Sequence, residues 1–328
     1  MKRMSYIAIL IILIAILMLG CGRLFGGMSK DRAAATLEQY LTERFQKKLS
    51  FENLNRFFNE GNMNPNMFSV EIFDQQYPKI RFALHFDAKK MKEEDLLDQG
   101  GYQERSLKEM YTEAKTDYTI KQNITEQLEN KGILTNFEYY SVNLNFTTTP
   151  SPLSIKNTIS ELLNTMNQNR DTLYCGGYFT FNIKTPVLSH SLLQGETIPG
   201  IEGWDFTHFS INTKAEVYTQ LQSKINVNII DYLKKSQASY RLHPTSKTYV
   251  NADTFDQAVW VQFLSDQNGS RSKEPVAWNE PITAVLLVFF DLETQKILRT
   301  ELQPLTDSKT FEEYWAKVDQ ILPFTTTL

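Results

Sequence analysis

The sequence predicts an α+β fold: two domains, each an antiparallel sheet with hairpins backed by helices, behind an N-terminal leader. Three observations carry that expectation. Apolar and polar residues alternate in paired runs, Phe68 to Ile72 and Ile80 to Phe86, as a half-buried hairpin requires. Elsewhere apolar residues recur every fourth position, in Leu37, Leu41, Phe45 and again in Val217, Leu221, Ile225, Ile229 and Leu233, as buried helix faces require. Between them, Thr147-Thr148-Thr149-Pro150-Ser151-Pro152 can continue neither strand nor helix. The expected boundaries are a leader over 1–20, a tether over 21–28, and α+β domains over 29–147 and 153–328.

The leader has the most specific chemistry. Lys2 and Arg3 precede a run from Met4 to Leu19 that is apolar except for Ser5. That is short of the ~20 residues a membrane-crossing helix needs, and it has the charged start, apolar middle and small terminal residue of an export signal. Its end, Met18-Leu19-Gly20-Cys21, resembles the lipobox of bacterial lipoproteins, with Leu19 where that family usually has a smaller residue. The resemblance implies cleavage between Gly20 and Cys21 and attachment of lipid, palmitate included, at Cys21. It covers only the first 22 residues or so. The same run also reads as an uncleaved signal anchor. Either way Lys2 and Arg3 hold the short tail in the cytoplasm and place the rest outside.

The chain then reads in order. Ser29 caps a helix from about Lys30 to Lys48, and Phe51 to Phe58 adds a helical turn. The hairpin follows, then a helical region over 91–131 broken at Gly100-Gly101, whose Leu107, Tyr111, Ala114 and Tyr118 would cover the hairpin. Tyr140, Val142, Leu144 and Phe146 alternate as a third strand. Beyond the linker come a helix over 154–167, a strand through Phe179, Phe181 and Ile183, and a patternless loop over 187–204. Thr213 and Glu216 form a capping box for the next helix, which runs to Lys235. Val259, Val261 and Phe263 mark a strand, and the polar run over 265–274 a loop. Ile282 to Phe290 is almost wholly apolar, as a central strand buried on both faces would be. A turn over 291–296 leads to an edge strand from Ile297 to Gln303. A last helix is capped by Thr310 and Glu313.

Composition narrows the function. Hydrophobic residues at 41% and aromatics at 12% are values of a chain with a true core. The formal charge of −4, more negative still once the leader is lost, disfavours nucleic-acid binding, which needs a basic surface. With Cys21 lipidated, Cys175 has no disulfide partner, and burial as an inert thiol is its expected state.

Chemistry-bearing patterns are few. The four histidines are not at metal-ligand spacing, and nucleophile-elbow, phosphate-loop and dinucleotide patterns are lacking, so neither a catalytic set, a metal site nor a cofactor is assigned. His85 and Asp87 share the polar side of a strand. Glu93, Glu94 and Asp95 suit a helix start. Trp204, Asp205 and His208, at the end of the long loop, form a possible ligand site.

The expectation is therefore a lipid-anchored protein of the cell membrane, facing the extracytoplasmic side, that binds or scaffolds another envelope protein. Two alternatives stand beside it. One is an envelope enzyme with a dispersed site, for which Asp205, His208 and Cys175 are the residues to mutate; the other is a solute-binding lipoprotein.

Overall fold

The computed structural model of the chain describes residues 27–57, 64–91, 96–100, 105–188, 190, 192–236, 239–266, 280–305 and 310–328. Gly20, Cys21 and the rest of the leader lie outside these residues, as do Glu93, Glu94 and Asp95. Among the described residues no helix is long and apolar enough to cross a membrane. The fold is α+β, with three largely antiparallel sheets among the described residues, backed by helices. It divides into two compact units, one ending at Ile120 and the other starting at Lys121.

In the first unit, helix α1 (Lys30–Phe45) is capped by Ser29, whose hydroxyl accepts from the Arg32 amide. It stops three residues earlier than its apolar stripe suggests, because Gln46 and Lys47 adopt positive φ. Leu49 instead opens strand β1 (Leu49–Arg56), where a helical turn was expected. The polar sequence there has no strong period of its own, and pairing with β2 (Met67–Asp74) decides its conformation. Strands β2 and β3 (Arg81–Asp87) form the expected hairpin, completing a sheet of order β1-β2-β3. Helix α2 (Leu107–Glu129) supplies Leu107, Met110 and Tyr111 to the core against Phe68, Ile72 and Phe86.

The second unit has two sheets. The first runs β4-β5-β6-β7-β8, from β4 (Ile133–Phe137), β5 (Ser141–Phe146), β6 (Thr180–Lys184), β7 (Leu193–Pro199) and β8 (Trp204–Ile211). Strand β5 pairs with β6 in parallel, and helix α3 (Pro152–Gln168) makes the crossover that a parallel pair needs. This corrects the expected domain boundary. The Thr147 to Pro152 stretch joins two neighbouring strands of one sheet, with Ser151 capping α3 and Pro152 in its first turn.

Strand β7 lies inside what reads as a patternless loop. Its inward positions are Leu193, Gly195 and Thr197, so the alternation is one of burial and not of hydrophobicity. Gly195 is required there, since a Cβ would lie 2.8 Å from the Phe206 ring.

Helix α4 (Tyr218–Lys235) begins five residues after Thr213 and has Val217 at its N-cap without a side-chain bond, so the expected capping box is not formed. Asn212 organises the approach instead, accepting from the Lys214 amide. The second sheet, β12-β11-β10-β9, contains β9 (Tyr240–Val250), which the sequence reading missed, β10 (Gln257–Asp266), β11 (Ala284–Asp291) and β12 (Ile297–Pro304). Strand β11 is buried along almost its whole length, and each buried Val, Leu or Phe contributes about 1.5–3 kcal/mol. The edge strand β12 lays Arg299 over the Phe289 ring at 3.8 Å. Helix α5 (Phe311–Ile321) closes this core with Tyr314 and Val318 and has the capping box between Thr310 and Glu313.

Candidate functional site

One end of the five-stranded sheet gathers three loops. Strand β4 ends there, β5 and β6 begin there because they are parallel, and the β7–β8 turn closes there. The loops are therefore 138–140, 173–179 and 200–203. Loops at one end of a rigid sheet are where binding groups concentrate.

The β4–β5 turn is held by Glu138, whose amide donates to the Ser141 carbonyl and whose carboxylate accepts from Ser141 Oγ and Asn143 Nδ2. The second loop docks onto it: the Gly176 amide donates to the Tyr139 carbonyl and the Thr180 amide to the Tyr140 carbonyl. Gly176 is buried under the Tyr140 ring, where a Cβ would come within 2.8 Å of the ring. Trp204 pins the assembly from below. Its indole donates to the Gly176 carbonyl at 3.1 Å and its ring packs edge-on against Phe179. Asn167, from the last turn of α3, accepts from the Trp204 amide and donates to the Trp204 carbonyl.

What these loops present outward is aromatic. Tyr140, Tyr174 and Tyr178 are 64%, 71% and 68% exposed, and Tyr139 sits between, 4.5 Å from Tyr140 and 4.9 Å from Tyr174 between ring centroids. Ile201 on the third loop is almost fully exposed, its carbonyl held by Arg170. Burial raises the pKa of Tyr139, helped by Tyr174, Tyr140 and Cys175 nearby.

The residues proposed from sequence separate. Trp204 is a buried structural pin. Asp205 is exposed, with its carboxylate over Gly200. A register shift in the β7–β8 ladder puts His208 opposite Glu196 and Asp205 opposite Ile198, so these two share one face while Trp204, opposite Pro199, takes the other. His208 is buried beneath Tyr249, ring centroids 5.0 Å apart. Its Nδ1 is 2.9 Å from Thr207 Oγ1, and its Nε2 has no hydrogen bond, the Glu196 carboxylate being 3.8 Å away. Burial and then the charge of Lys247 push its pKa down to about 3, so the ring is neutral. Lys247 itself lies over the Tyr249 and Trp315 rings; burial lowers its pKa against the opposing pull of Glu196 and Asp319.

The other candidates also take new partners. Cys175 is half-buried and in no disulfide. His85 has its Nδ1 3.4 Å from Asp98, not Asp87, and Asp87 accepts from Asn64 Nδ2 and the Lys89 amide. Among the described residues no group of three or more His, Cys, Asp or Glu could hold a metal ion.

The tyrosine surface went unread because Tyr140 falls in the alternating pattern of β5 and looks inward-facing. The Tyr139-Tyr140 pair and the run Tyr174-Cys175-Gly176-Gly177-Tyr178, large aromatics around obligatory glycine, are the signal that could have found it. Compared with protein-family models, curated proteins and solved structures, the chain matches none.

Proposed function

We propose that this chain is a lipid-anchored protein of the bacterial envelope, tethered through Cys21 and exposed on the extracytoplasmic side, that binds or scaffolds another envelope protein through the tyrosine-bearing end of its five-stranded sheet. One observation carries the binding role. Among the described residues, the exposed tyrosines other than Tyr77 all lie on the loops at that end. Tyrosine gives large, amphipathic contact area at low entropic cost, and glycine between tyrosines lets loops conform to a partner. The anchor is supported by the lipobox-like Met18-Leu19-Gly20-Cys21, and more than one acyl chain makes such attachment stable.

A macromolecular partner suits this surface, because its tyrosines are exposed on loops at one end of a rigid sheet.

The test has two arms. Cells fed labelled palmitate should label the wild type but not Cys21→Ala; equal labelling removes the lipid anchor. Photocrosslinkers placed at Tyr140, Tyr174 and Tyr178 in intact cells should trap one envelope protein, and the triple alanine variant should no longer co-purify with it. Trapping at Val227 as readily as at the tyrosines would remove the binding surface.

A further inference from the structure

The loops at the tyrosine end of the five-stranded sheet carry charge of one sign. Within 138–140, 173–179 and 200–203 the charged residues are Glu138 and Glu202, both exposed, and Asp171 and Asp205 flank them. Glu138 accepts only from neutral groups, the Ser141 hydroxyl and the side-chain amides of Asn136 and Asn143, so its charge is not compensated. Among the described residues none of these four carboxylates is in an ion pair. Two bases bond to the loops, and each has its head group on a carbonyl: Lys121 Nζ donates to Tyr174 and Arg170 Nη1 to Ile201. Acid therefore exceeds base at this end.

The rings add to that sign. An aromatic face is the negative end of a quadrupole and attracts a cation within about 6 Å of the ring centroid. The protein uses such contacts elsewhere: Arg299 lies over Phe289, Lys247 over Tyr249 and Trp315, and Lys121 over Phe137 at the end of β4. Tyr140 and Tyr178 have no such cation among the described residues, although both are largely exposed. The two flank Gly176, where a Cβ would lie 2.8 Å from the Tyr140 ring and 3.0 Å from the Tyr178 carbonyl. Gly177 lies against Pro199, which brings the loop bearing Ile201 and Glu202 to the same surface.

We infer that the segment of the partner protein received at this end is basic, with arginine side chains lying on the faces of Tyr140 and Tyr178 and Glu138 and Glu202 beside them. The inference rests on the tyrosine-surface reading above and adds the charge of its partner. Arginine fits better than lysine, because its planar, weakly hydrated guanidinium stacks on aromatic faces. Its methylene stem finds an apolar seat on the exposed Ile201. A phosphate-bearing surface, whether lipid or nucleic acid, would be repelled by the four carboxylates.

The test titrates the full chain in detergent with a short labelled peptide of alternating arginine and glycine, read by fluorescence anisotropy at low salt. The peptide should bind, and its counterparts with citrulline or glutamate for arginine should bind at least about tenfold more weakly. Replacing both tyrosines by leucine, Tyr140→Leu with Tyr178→Leu, should cost at least about tenfold in affinity. Tyr140→Phe with Tyr178→Phe keeps the faces and should stay within a few-fold of the wild type. Glu202→Lys, on an exposed loop tip, should weaken binding several-fold at an unchanged melting midpoint, which guards against a folding defect in the leucine variant. No binding of the arginine peptide overturns the inference. So does equal binding of the citrulline peptide, or binding indifferent to the leucine pair, which would be the general pull of an acidic protein. Loss in the phenylalanine pair as large as in the leucine pair would assign the contact to hydroxyls and also overturn it. A protein trapped at the tyrosines in cells that the arginine peptide does not displace removes this inference and leaves the binding surface standing; trapping as ready at Val227 removes the surface itself.

Discussion

Tyr111 donates a 2.5 Å hydrogen bond to the buried Asp74 carboxylate, tying helix α2 to the end of strand β2. Asp74 also accepts from the amides of Gln76 and Tyr77, so one carboxylate serves both the β2–β3 turn and the core. Burial alone would raise its pKa. The Tyr111 hydroxyl, the two amides and the charge of Lys48 outweigh burial and lower it.

A carboxylate with a depressed folded pKa stabilises above its unfolded value, ~3.9, and that stability is lost as pH falls through the folded pKa. Tyr111→Phe should therefore cost about 1.5–3 kcal/mol at neutral pH, the range for a hydrogen bond to a charged group. Urea unfolding should show the gap between wild type and variant shrinking below about pH 4. A gap that is the same at pH 3 and pH 7 would show that the lost hydroxyl acts through packing alone.

His208 shifts in another window. Its folded pKa of about 3 lies below the ordinary 6.5, so the unfolded chain takes up the proton first. The stability it contributes is full above about pH 6.5 and falls as pH drops, by up to ~1.4 kcal/mol per unit. Glu196, Lys247 and Asp319 face this ring and its neighbours from β7, β9 and α5 and complete the local charge balance. His208→Gln should flatten the stability profile between pH 6.5 and 4.5. An imidazole resonance of His208 that titrates near pH 6 would contradict the burial argument.

Asn167 holds Trp204 through both backbone groups, so Asn167→Ala strips two bonds from the turn supporting the aromatic surface. Each is worth about 0.5–1.5 kcal/mol. The expected outcome is a melting midpoint a few degrees lower and faster amide exchange over 200–204. Unchanged exchange there would show that the Phe179 contact suffices.

Thr310→Ala removes the hydroxyl that caps α5 and should cost about 1 kcal/mol by denaturant unfolding. Glu313→Ala, removing the reciprocal bond to the Thr310 amide, should cost less. If both are neutral, α5 is held by the packing of Tyr314, Trp315 and Val318.

Strong local signals were legible in the sequence. The Thr310 and Glu313 cap, the β2–β3 hairpin, the almost wholly apolar β11 and the covering face of α2 all have short-range patterns that the fold keeps. What was not legible depends on partners distant in the chain. Strand β1 is polar and bulged, and only β2 makes it a strand. Strand β7 hides its inward face behind Gly195 and Thr197. Strand β9 carries Pro244, which argues against a strand until the register shift that accommodates it is seen. Asp205 and His208 share a face only through the register shift in β8, and even so one is exposed over Gly200 and the other buried beneath Tyr249. The exposed aromatic surface is built by Tyr139, Tyr140, Tyr174 and Tyr178, which two separate loops bring together.

The parallel pairing of β5 with β6 also sets an order of events as the chain folds. The β4–β5 hairpin closes locally, but the inner side of β5 waits until α3 has crossed and Thr180 arrives opposite Ser141. Non-local pairings of this kind are slow because the loop must close before any contact rewards it. The first sheet, whose strands are nearest neighbours in sequence, has no such wait. A chain emerging from its N-terminus would complete the β1-β2-β3 layer first and carry an unfinished β5 edge for the longest time. That interval is when a chaperone or a second nascent chain would find it.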